Sequence, residues 1–247
     1  EIIYDDHRIF GNVGWAQQAR SHDAAILQFS PEGAKIHVGL AYNQDGASLF
    51  NNYYSVSASY KTFQYVWAQK SFTNLKASVL LLNLGNQGGD PNVNDGSTYF
   101  QQTVGGRLSY KKDDLTANAN IYGQFGEMPD NGNTSVSALL YSLDVGYALT
   151  DKHTIFAGYE HISGNDAGST DNENKAFNPY FGTNHKFNGL MDYFYVGNHV
   201  GNVGLNDIYL RFDYKAKKFS AGIAGHAFLA NADVLDVPEW TNNGNIR

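Results

Sequence analysis

The sequence predicts an all-β fold, a transmembrane antiparallel up-and-down β-barrel, and three observations support this prediction. Polar and apolar residues alternate with a period of two over long stretches, as in strands whose two faces meet unlike surroundings. Short polar turns alternate along the chain with long connections rich in Gly, Asn and Asp. The composition favours strands and turns, since the 247 residues include 17 Tyr, 15 Phe and 26 Gly but 5 Pro.

The first part of the chain contains five predicted strands. Their ranges are 1–9, 22–30, 33–43, 59–70 and 75–84. In the third of them, Ile36 and Val38 share one face, whereas Lys35 and His37 share the other. Short turns such as "SPEG" and "SFTN" join neighbouring strands, as in β-hairpins.

Six further strands are predicted in the rest of the chain. Their ranges are 98–111, 114–126, 135–149, 153–163, 205–215 and 218–230. In the second of these, Ile121 and Phe125 oppose Asn120 and Gln124. Many of the eleven strands are longer than the ~5–6 residues usual in globular sheets. They match the ~9–11 residues that a tilted strand needs to cross a bilayer.

Turn lengths predict which strand ends lie together. Long connections cover residues 44–58, 85–97, 127–134 and 164–204, and short turns separate them. In an antiparallel meander, this alternation places all short turns at one end of the sheet and all long loops at the other. The sequence therefore predicts short periplasmic turns and long extracellular loops.

Two architectures fit alternating strands, and the sequence favours the membrane barrel over a soluble β-sandwich. In a sandwich the apolar faces fill a core, whereas in a transmembrane barrel they meet lipid and the polar faces line a lumen. The apolar faces here carry small residues such as Ala77, Ala117 and Ala157, which fill a wide core poorly. Aromatic residues cluster near strand ends, as at membrane interfaces.

The predicted domain is a single barrel over residues 1–247, located in the bacterial outer membrane and in contact with lipid and lipopolysaccharide. Because the chain begins at Glu1 rather than Met, we expect it to be incomplete at both ends and part of a larger barrel. The net charge of −7 offers no basic surface for nucleic acid. The absence of Cys excludes disulfides and thiolate metal sites.

Charged and polar residues on the predicted polar faces are candidates for lining the lumen. They are Arg107, Asp144, Glu160, Asp207, Arg211, Asp213 and His226. Opposed charges across a lumen would create a transverse field that orients polar solutes. A structural network of ion pairs that stiffens the barrel wall is an equally good interpretation, and the sequence leaves both open.

The stretch "TNHKFNGLMDYF", residues 183–194, lies inside the longest connection and is too apolar for a free loop. One hypothesis places it inside the lumen as a constriction, with His185, Lys186 and Asp192 facing the path. The alternative is one further strand flanked by loops.

No catalytic residue, metal site or cofactor is predicted. The residues show neither a His-Glu-x-x-His nor a Gly-x-Ser-x-Gly motif. Oxygen-rich loops at 89–96 and 164–174 contain the ligand types of Ca²⁺, although solvated extracellular loops have the same composition.

Three segments resemble the alginate-export family of outer-membrane barrels. They are "FGNVGWAQQARSHDAAIL" (10–27), "AFNPYFGTNHKFNGLMDYF" (176–194) and "GLNDIYLRFDYKAKKFSAGIAGHAF" (204–228). The resemblance implies a monomeric antiparallel barrel with more than eleven strands and a role in polysaccharide export. The best-known member exports an acidic polysaccharide through a lumen rich in Arg and Lys, whereas the predicted lumen here carries both signs of charge.

Three functions remain open at this stage. The first is a porin-like channel for polar solutes or for polysaccharide export, without enzymatic activity. The second is an outer-membrane barrel enzyme, such as a lipase with a Ser-His pair on the outer rim. The third is a structural barrel that serves other proteins in an envelope assembly.

Overall fold

The computed structural model describes residues 1–44, 53–54, 56, 59–88, 97–130, 132–191 and 202–234. The strands are β1 (Ala24–Phe29), β2 (Ala34–Tyr42), β3 (Thr62–Ser71), β4 (Leu75–Gln87), β5 (Thr98–Lys112), β6 (Leu115–Glu127), β7 (Ser135–Thr150), β8 (His153–Ile162), β9 (Glu173–Asn174), β10 (Leu205–Lys215) and β11 (Ser220–Ala230). Within these ranges no helix is long and apolar enough to cross a membrane.

All strands belong to one sheet, and its order is β1-β2-β3-β4-β5-β6-β7-β8-β10-β11. Neighbours on this path are antiparallel, and the short β9 pairs in parallel with β7. The prediction of an all-β, antiparallel, up-and-down sheet is therefore confirmed. Among the described residues, β1 pairs only with β2 and β11 only with β10, so the sheet is open and its closure into a barrel stays a prediction.

The strand predicted over residues 1–9 is wrong. Residues 1–4 are irregular and residues 5–9 form a turn and a bend, where the His7 amide donates to the Tyr4 carbonyl at 3.0 Å. The chain then makes a single parallel bridge between Phe10 and Phe181. The consecutive polar residues Asp5 to Arg8 break the alternation that a two-faced strand requires, which is the physical reason for the difference.

The two faces of the sheet differ in what covers them. We call the face packed against residues 1–22 (the N-terminal segment) and residues 176–188 (the inner loop) the inner face, and the opposite one the outer face. On β6, Tyr122 points to the inner face and is 1% exposed, whereas its neighbour Ile121 points outward and is 59% exposed. The strands from β3 to β8 thus have one covered and one open face, whereas β1 is exposed on both faces.

The sheet curves around the N-terminal segment. A single turn of this segment bonds to His37 on β2 through Tyr4 and to Glu160 on β8 through Arg8. Six strand intervals separate β2 from β8, and a flat sheet would spread them over roughly 29 Å. Because the turn itself spans less than ~7 Å between its ends, the strands must bend toward it.

An apolar cluster joins the segments to the β2–β4 side of the inner face. Phe10 lies 5.0 Å from the Tyr65 ring and 5.2 Å from the Phe181 ring, measured between centroids. Tyr4 stacks on Trp67 at 4.4 Å. Burying aromatic rings at this density supplies the main free energy that holds the segments on the sheet.

Glycine makes room for large rings on the inner face. A Cβ atom on Gly39 would lie 2.0 Å from the Tyr65 ring, and one on Gly158 would lie 2.1 Å from the Tyr209 ring. The rings therefore lie directly over the backbone of the neighbouring strand. This packing lets aromatic residues fit inside a curved sheet without pushing the strands apart.

Candidate functional site

The inner face carries a continuous hydrogen-bond network over β5, β6, β7 and β10. Arg107 donates to Asn118 Oδ1 at 2.7 Å, and Asn118 donates to Asp144 Oδ1 at 2.9 Å. The Tyr209 hydroxyl donates to the other oxygen of Asp144 at 3.1 Å. The network links four strands through side chains alone, so it holds the charged groups in fixed positions.

The N-terminal segment enters this network through Asp6. Its Oδ2 atom forms an ion pair with Arg107 and accepts a hydrogen bond from Asn120 Nδ2 at 2.9 Å. Asp5 lies beside it and accepts a hydrogen bond from the Trp67 indole at 3.1 Å. Burial raises the pKa of the Asp5 carboxyl, because the charged form loses its hydration.

Arg8 lies on the opposite side of the same turn. Its guanidinium pairs with Glu160 and covers the Phe187 ring at 3.5 Å from the centroid. Asn188 donates to Glu160 Oε1 at 3.1 Å, so the carboxylate has partners from both segments. Glu160 is buried, which makes the pair with Arg8 a charge-assisted contact largely out of water.

A second charged group lies on β10 and β11. His226 Nδ1 is 2.9 Å from Asp207 Oδ1, and the His226 ring stacks between Tyr209 and Phe228. Farther along β10, Arg211 covers the Phe156 ring at 3.9 Å. These contacts fix the orientation of the charged side chains on this side of the inner face.

The charges on the inner face are separated by sign. On β2–β5 they are basic, with Lys35, Lys76, Arg107 and Lys111; we call this the basic half. On β7, β8 and β10 they are mainly acidic, and we call this side the acidic half. Its acidic residues are Asp144, Glu160, Asp207 and Asp213, and its basic residues are Arg211 and, at the end of β10, Lys215. The amides of β6 lie between the two halves.

A polar cavity of about 330 Å³ lies in the basic half, toward the short-turn end of the sheet. Its lining includes Tyr4 and Asp5 of the N-terminal segment, together with Lys35, Lys76 and Ser78 of the wall. The N-terminal segment therefore leaves polar space beside it. The cavity is large enough to hold several water molecules.

The inner loop lies against the N-terminal segment. Residues Asn184–Lys186 form one 3₁₀ turn, and Lys186 Nζ donates to the Asp6 carbonyl at 3.1 Å. The His185 ring contacts Trp15 edge-on at 4.5 Å. The alternative prediction, a further strand over 183–194, is wrong for its described part, residues 183–191. Asp192 lies outside the described residues.

Arg20 and His22, in the segment 10–27 that resembles the alginate-export family, also pack on the inner side of the sheet. Arg20 donates to the Tyr180 carbonyl at 2.9 Å and to the Gly182 carbonyl at 3.4 Å. His22 is hydrogen-bonded to the Tyr60 hydroxyl at 3.0 Å. Burial, together with the nearby Arg20 charge, lowers the pKa of His22 to about 4, so its ring is neutral at neutral pH.

The structure places all seven residues predicted for the lumen on the inner face: Arg107, Asp144, Glu160, Asp207, Arg211, Asp213 and His226. Sequence reasoning missed their partners Asp6 and Arg8, because a strand was predicted there. The sequence does show that residues 5–8 are not a two-faced strand, because all four are polar. A strand with one apolar face needs an apolar residue at every second position.

The described residues contain no cluster of three or more His, Asp or Glu side chains arranged to hold a metal ion. The oxygen-rich loop at 89–96 lies outside the described residues. In the loop at 164–174, the Asp166 carboxylate accepts a hydrogen bond from the Asp233 amide at 3.1 Å.

Comparisons with known proteins do not assign the chain to a family. No protein-family model matches the chain, and a comparison with curated proteins finds no match. The resemblance of residues 10–27, 176–194 and 204–228 to the alginate-export family therefore stays a prediction.

Proposed function

We propose that the chain forms the wall of a porin-like channel in the bacterial outer membrane and passes polar solutes or polysaccharide. The observation that carries this proposal is the outer face. Large apolar side chains stay open along every long strand, including Leu81 at 50%, Ile121 at 59% and Leu143 at 52% exposure. Soluble monomers rarely leave an apolar surface of this extent uncovered, whereas lipid requires one.

The height of the apolar band fits a bilayer. On β5, the outer-face aromatics Phe100 and Tyr110 stand near the two strand ends, with Val104 and Leu108 between them. Ten residue steps cover ~33 Å along a strand, and a tilt of ~40° reduces this to ~25 Å. This height equals that of the apolar band of outer-membrane barrels, which aromatic girdles border.

Polar groups on the outer face support the same interpretation. Between the ends of the described strands, outward positions carry no Lys, Arg, Asp or Glu; Lys70, Lys112 and Glu127 lie within the last two residues of theirs. Toward the long loops, Gln102 donates to Asn83 and Asn83 donates to Gln64, each at 2.7 Å. Amides that satisfy one another in this way tolerate an apolar environment.

The inner face supports passage of polar material. Its charged and amide groups line a curved surface with a basic and an acidic half, which produces a transverse field. Lipid and lipopolysaccharide are the proposed contacts of the outer face. The resemblance to alginate exporters favours a monomeric barrel with further strands and a saccharide cargo.

Conductance in planar lipid bilayers tests the proposal. We expect the purified protein to need detergent, to show heat-modifiable gel mobility and to form ion-conducting channels. Lys76→Gln removes one positive charge from the inner cavity and should shift the ion selectivity toward cations. Lys112→Gln removes one positive charge from an outer strand end and should leave the selectivity unchanged.

A monomer that stays dissolved without detergent would contradict the membrane location. Insertion without conductance would contradict the channel and favour a structural barrel. An equal shift in selectivity for both lysine variants would show that the inner face is not the path.

A further inference from the structure

We propose that residues 2–8 of the N-terminal segment are an electrostatic plug, an autoinhibitory turn that is held on the inner face by charge and leaves it when the charge pairs break. The barrel itself would thus have a blocked and an open state. The role in gating rests on the proposed channel function, whereas the undocking itself does not.

The charges of the turn match the charges of the wall. Asp5 and Asp6 lie against the basic half, where Asp6 pairs with Arg107. Arg8 lies two residues farther on and pairs with Glu160 of the acidic half. A turn with the opposite order of charges would meet repulsion on both sides, so the pattern fixes the position and the orientation of the turn.

The docked conformation of the turn is energetically strained. Asp5 and His7 have positive φ angles of 51° and 76°, a backbone region that residues with a side chain adopt rarely. Asp6 Oδ1, His7 Nδ1 and Arg8 Nε are buried and find no hydrogen-bond partner within the described part of the chain. Strained backbone and unsatisfied polar atoms oppose docking, whereas the buried Tyr4 ring and the two ion pairs favour it. The balance therefore responds to loss of the ion pairs.

The next residues form the anchor of the plug. Ile9 is 2% and Phe10 is 1% exposed, and the Gly11 amide donates to the Phe181 carbonyl at 2.8 Å. These contacts are apolar or backbone-based, so loss of the ion pairs leaves them in place. Residues 2–8 also have apolar contacts, through Ile2 and through the Tyr4 ring on Trp67, but only they depend on the ion pairs as well. In the proposed open state they leave the wall while residues 9–11 stay attached.

Thiol labelling detects the movement directly, because the chain contains no cysteine of its own. Ser78→Cys places a thiol on β4 next to Tyr4 and Asp5, at a position that is 7% exposed. A charged, water-soluble methanethiosulfonate reagent should modify this thiol slowly while the turn is docked. Ser169→Cys, at an exposed loop position, reports the intrinsic reactivity.

The decisive variant combines Asp6→Asn and Arg8→Gln in the Ser78→Cys protein. It breaks both ion pairs and keeps the net charge, and we expect labelling to accelerate about tenfold or more. The matched control is Asp171→Asn with Lys175→Gln, which removes an exposed loop pair of 3.7 Å and should not change the rate.

Salt supplies a second measurement that needs no further substitution. Raising the salt from ~0.05 to ~1 M screens chiefly the Asp6–Arg107 pair, the more exposed of the two, and should accelerate labelling of the Ser78→Cys protein. Rates that stay constant in salt and in the charge variant would overturn the proposal and show that the turn is a permanent lining. Labelling needs no conductance, so its outcome is independent of the bilayer experiment.

Discussion

Leu80 and Leu81 are neighbours on β4, yet Leu80 is 2% exposed on the inner face and Leu81 is 50% exposed on the outer face. The first belongs to the buried cluster that also contains Ile2 and Tyr4 of the N-terminal segment. Within the described part of the chain, nothing covers the second. The same residue type thus serves a protein core on one side of the sheet and, in our proposal, lipid on the other.

The comparison extends to the charges. Inner-face charges such as Arg107 and Glu160 are paired, whereas the outer face keeps charge only near the strand ends. A soluble protein would show the reverse arrangement, with charge outside and apolar groups inside. Substitutions on either face therefore test whether the two environments differ as proposed.

The largest expected effect belongs to Glu160→Gln on the inner face. It removes the buried partner of the Arg8 guanidinium and should lower the free energy of unfolding by up to about 3–5 kcal/mol, the full loss applying while the turn stays docked and Arg8 stays out of water. Urea unfolding in detergent or lipid measures this loss. Glu173→Gln is the matched control, because its pair with Lys175 is exposed and contributes about 0–1 kcal/mol. Equal losses would show that the inner face is not sequestered from water.

A substitution on the outer face sharpens the contrast. Ile121 lies midway along β6, so Ile121→Arg should destabilise the lipid-inserted protein by about 2–4 kcal/mol, whereas Leu115→Arg near the strand end should cost about 0–1 kcal/mol. Folding equilibria in lipid vesicles give both values. In a soluble protein Ile121 would be an ordinary exposed position, and its replacement by Arg would change stability by less than ~0.5 kcal/mol.

Much of this architecture follows from the sequence. Alternation located ten of the strands and assigned Arg107, Asp144 and Glu160 to the inner face, because side chains on a strand alternate strictly between faces. Turn lengths gave the order of the sheet, because consecutive antiparallel strands are neighbours.

The covering segments could not be predicted from alternation. Residues 1–9 are of strand length, but their partners lie more than a hundred positions away, as Asp6 and Arg107 show. Besides the polar run at 5–8, a second local signal indicated a covering segment: the run "VLLL" at 79–82 is apolar on both faces of β4. A strand of this kind needs cover on both sides.

The smallest expected effect is the loss of stability at acidic pH that results from the buried His22 ring. His22 lies among the Tyr60, Phe63 and Phe181 rings, and burial lowers its pKa to about 4 from an ordinary value of 6.5. Between these values the unfolded chain binds a proton that the folded chain excludes, so stability is complete above pH ~6.5 and falls as the pH approaches ~4. The loss should be about 1–2 kcal/mol, because solvent screens a half-buried ring. His22→Gln should flatten this part of the stability–pH curve. If the variant and the parent protein lost stability in parallel, the ring would be open to water and the inner side less protected than its packing indicates.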